Sequence, residues 1–149
     1  MQARGLRRAA ALFAFTAAAA LGGCSDTTLP SGVAGNYGLT TVNGHALPYV
    51  LPGTDAGVHI TLLSGTIQIK SNGDFDQLLL FNTVTDDPGD ADPGNTRSEA
   101  TGSVTGSSTS LSFHPRLETG FTATVSGNQL TYTRSAGGQS FQFTFTRTP

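Results

Sequence analysis

The residues with the greatest capacity for chemistry lie in one acidic stretch, residues 86–95, which contains four carboxylates and one amide within ten residues. Calcium takes six to eight oxygen ligands, and alternating acidic residues in a bent loop present carboxylates on one side. The best ligand set for calcium is Asp90, Asp92 and Asn95, completed by Asp86 or by Asp87. However, two Pro-Gly pairs interrupt the spacing and no glutamate closes the loop. A solvated loop between two strands explains the same composition and is the favoured interpretation.

The three histidines, His45, His59 and His114, are widely spaced and have no neighbouring ligand at metal-site spacing. Three strands could still bring them together around zinc, but surface positions at strand ends explain them more simply. The chain also has no Gly-x-Ser-x-Gly elbow, phosphate loop or Cys-x-x-Cys pair. Because no acid, base and nucleophile can be assembled, we do not expect an enzyme.

The N-terminal segment has the features of a bacterial secretion signal. Residues 9–23 are apolar or small apart from Thr16, and three arginines precede them: Arg4, Arg7 and Arg8. This stretch of 15 residues is shorter than the roughly 20 apolar residues that span a bilayer. We therefore predict a signal peptide over residues 1–23, not a transmembrane anchor.

The end of this segment, Leu-Gly-Gly-Cys at residues 21–24, resembles the lipobox of bacterial lipoproteins. The resemblance implies that Cys24 forms a thioether to diacylglycerol and becomes the lipidated N-terminus after cleavage. An ordinary signal peptide with an incidental cysteine is the less favoured alternative. Ser25 follows the cysteine where an aspartate would signal retention at the inner membrane. By resemblance, this favours a lipid-anchored protein of the outer membrane, facing the periplasm or the cell surface.

The predicted mature chain has 126 residues, with five basic and ten acidic side chains. A domain without a basic patch is a poor binder of nucleic acid, because phosphate contacts need clustered positive charge. Cys24 is the only cysteine, so its acylation leaves no thiol for disulfides or metals. We expect a flexible tether over residues 24–34 and one domain over residues 35–149, which is long enough to form its own core.

The domain is predicted to be all-β, because short segments alternate apolar and polar residues between turn signals. Separate strands are expected at residues 58–62 and 67–70, and the Gly127-Asn128 pair predicts a tight hairpin. Sequential hairpins favour an antiparallel meander of about 8–10 strands that closes into a barrel, with a two-sheet sandwich as the alternative. Residues 78–81 are apolar on both faces, which indicates burial under another part of the chain or, less favoured, an interface.

The beginning of the domain resembles the small lipocalin-like domains of bacterial lipoproteins. The shared features are Gly-Asn-Tyr at residues 35–37, Val-Asn-Gly at 42–44 and Leu-Pro at 47–48. Hairpins at residues 69–75 and 125–132 also fit, so the resemblance covers residues from about 35 to 147.

In lipocalins a tryptophan in a Gly-x-Trp motif closes one end of the barrel, and an arginine from a late strand packs over it. This chain has no tryptophan, and Tyr37 occupies that position. The resemblance implies that Arg147 or Arg134 reaches Tyr37, a contact worth about 0.5–2 kcal/mol.

The leading functional hypothesis is a membrane-anchored binding module whose barrel holds a small apolar ligand. No cofactor is required, apart from the calcium considered above. The alternative is a structural or protein-interaction module with a filled core, which would meet another envelope protein. The residues predicted to line the ligand site are Leu39, Ile60, Phe81, Phe113, Phe121 and Phe143.

Overall fold

The computed structural model describes residues 29–52, 57–86 and 94–149. Among these residues no helix is present, and so none is long and apolar enough to span a membrane. The ten strands follow one another along the chain: β1 Gly35–Val42, β2 His45–Ala46, β3 Tyr49–Val50, β4 Val58–Ile69, β5 Asp74–Thr85, β6 Gly94–Gly106, β7 Ser110–Pro115, β8 Phe121–Ser126, β9 Gln129–Ala136 and β10 Gln139–Arg147.

The strands form an antiparallel meander that closes on itself. Strands β4 to β10 pair in sequence order, β10 then pairs with β1, and β1 pairs with β4 from Gly35↔Ile69 to Gly38↔Thr66. This last pairing completes an eight-stranded barrel, to which β2 and β3 add two short strands. The prediction of an antiparallel barrel is therefore confirmed, and the sandwich is not formed. Closure removes the unpaired strand edges that an open meander would expose.

Tight turns fix the hairpins where the sequence predicted them. Asn43 and Gly44 both have positive φ, 51° and 80°, which suits a two-residue turn between β1 and β2. Gly127, with φ 58°, begins the two-residue turn between β8 and β9. Asparagine and glycine tolerate this backbone region better than other residues, so these turns follow directly from residue type.

A bulge in β4 joins the two segments that the sequence suggested as separate strands. Pairing with β5 shifts register between Leu62 and Ser64, so one extra residue enters β4. Leu62 is buried before the bulge, and Gly65 and Ile67 are buried after it. Since side chains in a strand alternate, the inserted residue reverses the phase of the apolar pattern. The two segments therefore belong to one twelve-residue strand.

A continuous row of aromatic rings fills the barrel from its middle to Phe121, the first residue of β8. Phe113 meets Phe75 edge-on at a centroid distance of 4.9 Å and stacks on Phe121 at 4.7 Å. Tyr132 continues the chain of rings, 4.6 Å from Phe121 and 5.2 Å from Phe143. Such pairs add about 0.5–1.5 kcal/mol each to the area they bury. These rings make the interior a packed core at this level.

One end of the barrel, here called the closed end, is covered by residues 29–34. Leu29 and Val33 belong to the hydrophobic core, and the hydroxyl of Tyr37 donates a hydrogen bond to the carbonyl of Val33 at 2.7 Å. The guanidinium of Arg147 lies 5.9 Å from the centre of the Tyr37 ring and donates hydrogen bonds to the carbonyls of Gly32 and Ala34. The Tyr37–Arg147 contact implied by the resemblance is thus confirmed.

The same contacts bear on the predicted tether. Its described part, residues 29–34, packs on the barrel instead of extending from it. Gly35 allows this arrangement, because a Cβ at that position would lie 2.8 Å from Nε and Nη2 of Arg147.

Candidate functional site at the open end of the barrel

The opposite end, here called the open end, is where β5, β7 and β9 finish and where β6, β8 and β10 begin. Near Gly38 the direct pairing of β1 with β4 stops, and bulges in both strands let them separate. Beyond this point β2 pairs with β1 and β3 pairs with β4. The segment from β2 to β3 therefore fills the gap between two barrel strands as a wedge.

The wedge supplies apolar side chains to the open end. Leu47, Tyr49 and Leu51 are partly buried and pack against the core. Tyr49 stacks on His45 at a centroid distance of 6.0 Å, and its hydroxyl accepts a hydrogen bond from Asn43 Nδ2 at 3.3 Å. These contacts hold the wedge at the rim, so part of the open end is built by residues outside the eight barrel strands.

The inner wall of the open end consists of apolar side chains that are not fully covered. Ile60, Leu79, Phe81 and Phe121 point inward and are half-buried. Similar side chains near the middle of the barrel, such as Phe113, are fully buried. We call these four residues the mouth. Partly exposed apolar side chains on an inner wall are of the kind that line small-molecule sites.

Gly65 on β4 leaves room for two inward-pointing leucines on the neighbouring strands β5 and β1. A Cβ on Gly65 would lie 2.6 Å from Cδ2 of Leu79 and 3.1 Å from Cδ2 of Leu39. The two leucines therefore occupy the space that a side chain at position 65 would need.

A polar pair lies inside the barrel wall. Gln77 Nε2 donates a hydrogen bond to the hydroxyl of Tyr132, and the two residues are only 5% and 2% exposed. Burial raises the pKa of Tyr132, although the hydrogen bond from Gln77 acts in the opposite direction. The phenol is therefore neutral at physiological pH. The pair satisfies two polar groups that would otherwise be costly to bury.

The rim beside Phe121 is polar. The guanidinium of Arg134 lies 5.0 Å from the centre of the Phe121 ring and bonds to Glu118 Oε2 at 2.8 Å. A recess of about 640 Å³ opens between the β7–β8 connection and the end of β9, with Phe121 and Arg134 among its walls. Arg134 thus lies over an aromatic ring at the open end and does not reach Tyr37.

The structure divides the six predicted ligand residues into two sets. Ile60, Phe81 and Phe121 are half-buried and belong to the mouth. Leu39, Phe113 and Phe143 are at most 8% exposed and form part of the packed interior. Leu79 and the wedge leucines were missed, and so was Gln77. The signal for Gln77 was present in the sequence, because it shares the strand phase of Phe75 and Phe81.

Two of the residues proposed for calcium, Asp86 and Asn95, lie within the part of the chain that the structure describes. The Asp86 carboxylate lies 3.3 Å from His59 Nε2, and Asn95 Oδ1 accepts a hydrogen bond from Asn82 at 3.3 Å. Asp90 and Asp92 lie outside the described residues, as does Cys24. Within residues 29–52, 57–86 and 94–149, no three histidine, cysteine or acidic side chains form a metal-binding group.

The outer face of the sheet carries a second apolar feature. Leu78 and Leu80 point outward and are half-buried beside Glu99 and Arg97, which form an ion pair at 3.4 Å. Three further apolar side chains on β3, β4 and β5 are exposed: Val50, Leu63 and Val84. These five residues, here called the outer band, include the residues that the sequence marked as apolar on both faces.

No protein-family model, curated protein or solved structure matches the chain.

Proposed function

We propose that this chain is a lipid-anchored lipoprotein of the bacterial cell envelope whose barrel binds a small apolar molecule at its open end. The anchor is the acylated Cys24, and the outer membrane is the expected location. The protein acts by binding and not by catalysis, because no acid, base and nucleophile set is apparent in its sequence. It has no expected nucleic-acid partner.

The anchor is supported by four agreeing features of the sequence: the arginines, the short apolar stretch, the small residues before the cysteine and the position of Cys24. A lipoprotein with two or more acyl chains remains stably on its membrane, whereas one chain binds marginally.

Ligand binding is supported chiefly by the half-buried state of Ile60, Phe81 and Phe121. Burying such side chains under a ligand yields about 25 cal/mol for each Å² removed from water. The aromatic rings below the mouth restrict the depth that a ligand could reach. A compact apolar molecule, or one end of a longer molecule, fits this arrangement better than a fully enclosed ligand.

The chain lacks tryptophan, so a single introduced indole reports on one place. We would place Phe81→Trp in a soluble Cys24→Ser chain and add a brominated fatty alcohol, whose bromine quenches indole fluorescence on contact. The matched control is Leu117→Trp, because Leu117 is 98% exposed on the loop after β7.

We expect saturable quenching for Phe81→Trp and only weak, linear quenching for Leu117→Trp. Identical linear responses at the two positions would exclude binding at the mouth. The anchor is tested separately: the unmodified chain should fractionate with membranes, and the Cys24→Ser chain should not.

The second candidate function is a protein-interaction module, which the outer band favours. Val50 and Val84 are 58% and 42% exposed, and neighbouring apolar residues on one sheet face are suited to a partner protein. A chain that binds no apolar probe but whose capture of an envelope protein is lost in Leu80→Asp would favour this function over ligand binding.

A further inference from the structure

The segment of residues 29–34 joins the chain from the proposed anchor at Cys24 to the closed end of the barrel. Leu29 is 9% exposed and Val33 is 2% exposed, both within the core cluster at the closed end. Tyr37 and Arg147 hold the backbone of residues 32–34 by hydrogen bonds. The point at which the tether leaves the domain is therefore fixed by packing and by polar contacts.

The tether is short in comparison with the barrel. Cys24 precedes Leu29 by five positions, which corresponds to at most about 18 Å of extended chain. Strand β5 has 12 residues and is about 40 Å long. With the usual strand tilt, this gives a barrel about 30 Å high. A lipid on Cys24 could not reach past the open end.

From these observations we infer that the closed end faces the phospholipid surface and that the mouth points away from the anchoring membrane. The inference rests on the proposed lipidation of Cys24. It also specifies where the ligand comes from: a molecule entering the mouth arrives from the aqueous compartment, not laterally from the bilayer that holds the anchor.

The orientation is tested with the full, lipidated chain in vesicles of phosphatidylethanolamine and phosphatidylglycerol. Acylation occupies the thiol of Cys24, the only cysteine, so one introduced cysteine carries a fluorophore alone. Ser108→Cys labels the exposed turn between β6 and β7 at the closed end, and Leu117→Cys labels an exposed loop at the open end. Lipids with a spin label on the headgroup quench nearby fluorophores.

We expect the quencher lipids to remove most of the fluorescence at position 108 and little at position 117. Equal quenching, or stronger quenching at position 117, in a chain that still sediments with the vesicles overturns the orientation while leaving the anchor intact. A chain that carries no acyl group by mass and does not sediment overturns the anchor, and the orientation with it.

A longer tether provides a second measurement that does not depend on the stability of the closed end. Insertion of about 12 glycine and serine residues after Thr28 extends the reach by ~40 Å, beyond the height of the barrel. The difference in quenching between positions 108 and 117 should then become small, whereas sedimentation with vesicles stays unchanged. An undiminished difference would show that the tether length does not set the orientation.

Discussion

The two ends of this barrel are built from the same eight strands but differ in how far their apolar side chains are covered. At the closed end, Leu29 and Val33 cover the core, and Tyr37 and Arg147 connect the covering segment to the first and last barrel strands. At the open end, Ile60 and Phe81 remain half-buried although they lie on the inner wall. Apolar surface is thus removed from water at one end and left accessible at the other. We therefore expect stability to depend mainly on the closed end and the proposed ligand binding to depend on the open end.

The largest expected effect is on stability at the closed end. Tyr37→Ala removes a buried ring, its hydrogen bond to Val33 and its contact with Arg147, so it should cost about 3–5 kcal/mol. Phe81→Ala removes a half-buried ring at the mouth and should cost roughly half as much. Unfolding of both chains in urea, followed by far-UV circular dichroism, measures the two free energies. If Phe81→Ala proved the more destabilising substitution, the division of roles between the ends would be wrong.

An intermediate effect on stability is expected at the hydrogen-bonded pair of Gln77 and Tyr132. Tyr132→Phe leaves the buried amide of Gln77 without its partner and should lower the free energy of unfolding by about 1–3 kcal/mol at neutral pH. A combined Gln77→Leu and Tyr132→Phe chain should be less destabilised than the sum of its single substitutions, because no unpaired polar group remains. Strict additivity would show that the hydrogen bond contributes nothing.

The same tyrosine predicts a dependence on alkaline pH. Burial raises its pKa above the ordinary value of 10.0, so the folded chain holds the phenolic proton more tightly than the unfolded chain does. This contribution is fully present below pH 10 and is lost as the pH rises above it. Unfolding of the unmodified chain between about pH 9 and about pH 11.5 should show this decline, and Tyr132→Phe should show less of it. Burial also raises the pKa of Tyr37, so deprotonation of Tyr37 lowers the free energy of unfolding in the same direction. Some decline with rising pH should therefore remain in the Tyr132→Phe chain.

The smallest effect is expected from calcium at the acidic stretch of residues 86–95. If residues 86–95 form a solvated loop, millimolar calcium should leave the Tm of the unmodified chain nearly unchanged. An increase in Tm that a chelator reverses, and that is absent in the Asp90→Ala chain, would instead establish a calcium site. Thermal melts with and without calcium distinguish the two outcomes, and magnesium serves as the control for ionic strength.

Most of the barrel could be predicted from local chemistry. Alternation in segments such as Phe141-Gln142-Phe143 and turn pairs such as Asn43-Gly44 are local properties, because side chains in a strand alternate and turns select particular residues. The Tyr37–Arg147 contact followed from the resemblance at residues 35–48. These expectations depended only on neighbouring residues or on a motif.

The division of the apolar residues into mouth and core could not be predicted in the same way. Phe81 and Phe113 look alike in sequence, yet Phe81 is half-buried and Phe113 is fully buried. Their exposure depends on the position of each side chain along the barrel axis. That position is set by the register between paired strands and by the closure of the barrel. The bulge between Leu62 and Ser64 also depends on tertiary structure, because it shifts the register of β4 against β5.

The sequence alone therefore carried the strand pattern, the hairpin turns, the signal-like N-terminus and the single cysteine, because each depends on residue type and spacing along the chain. Tertiary structure decided which end is covered, which apolar side chains stay half-exposed and that residues 29–34 join the core. Those outcomes depend on contacts between residues far apart in the chain, such as Arg147 with Gly32 and Ala34. Such contacts exist only after the first and last strands have met to close the barrel.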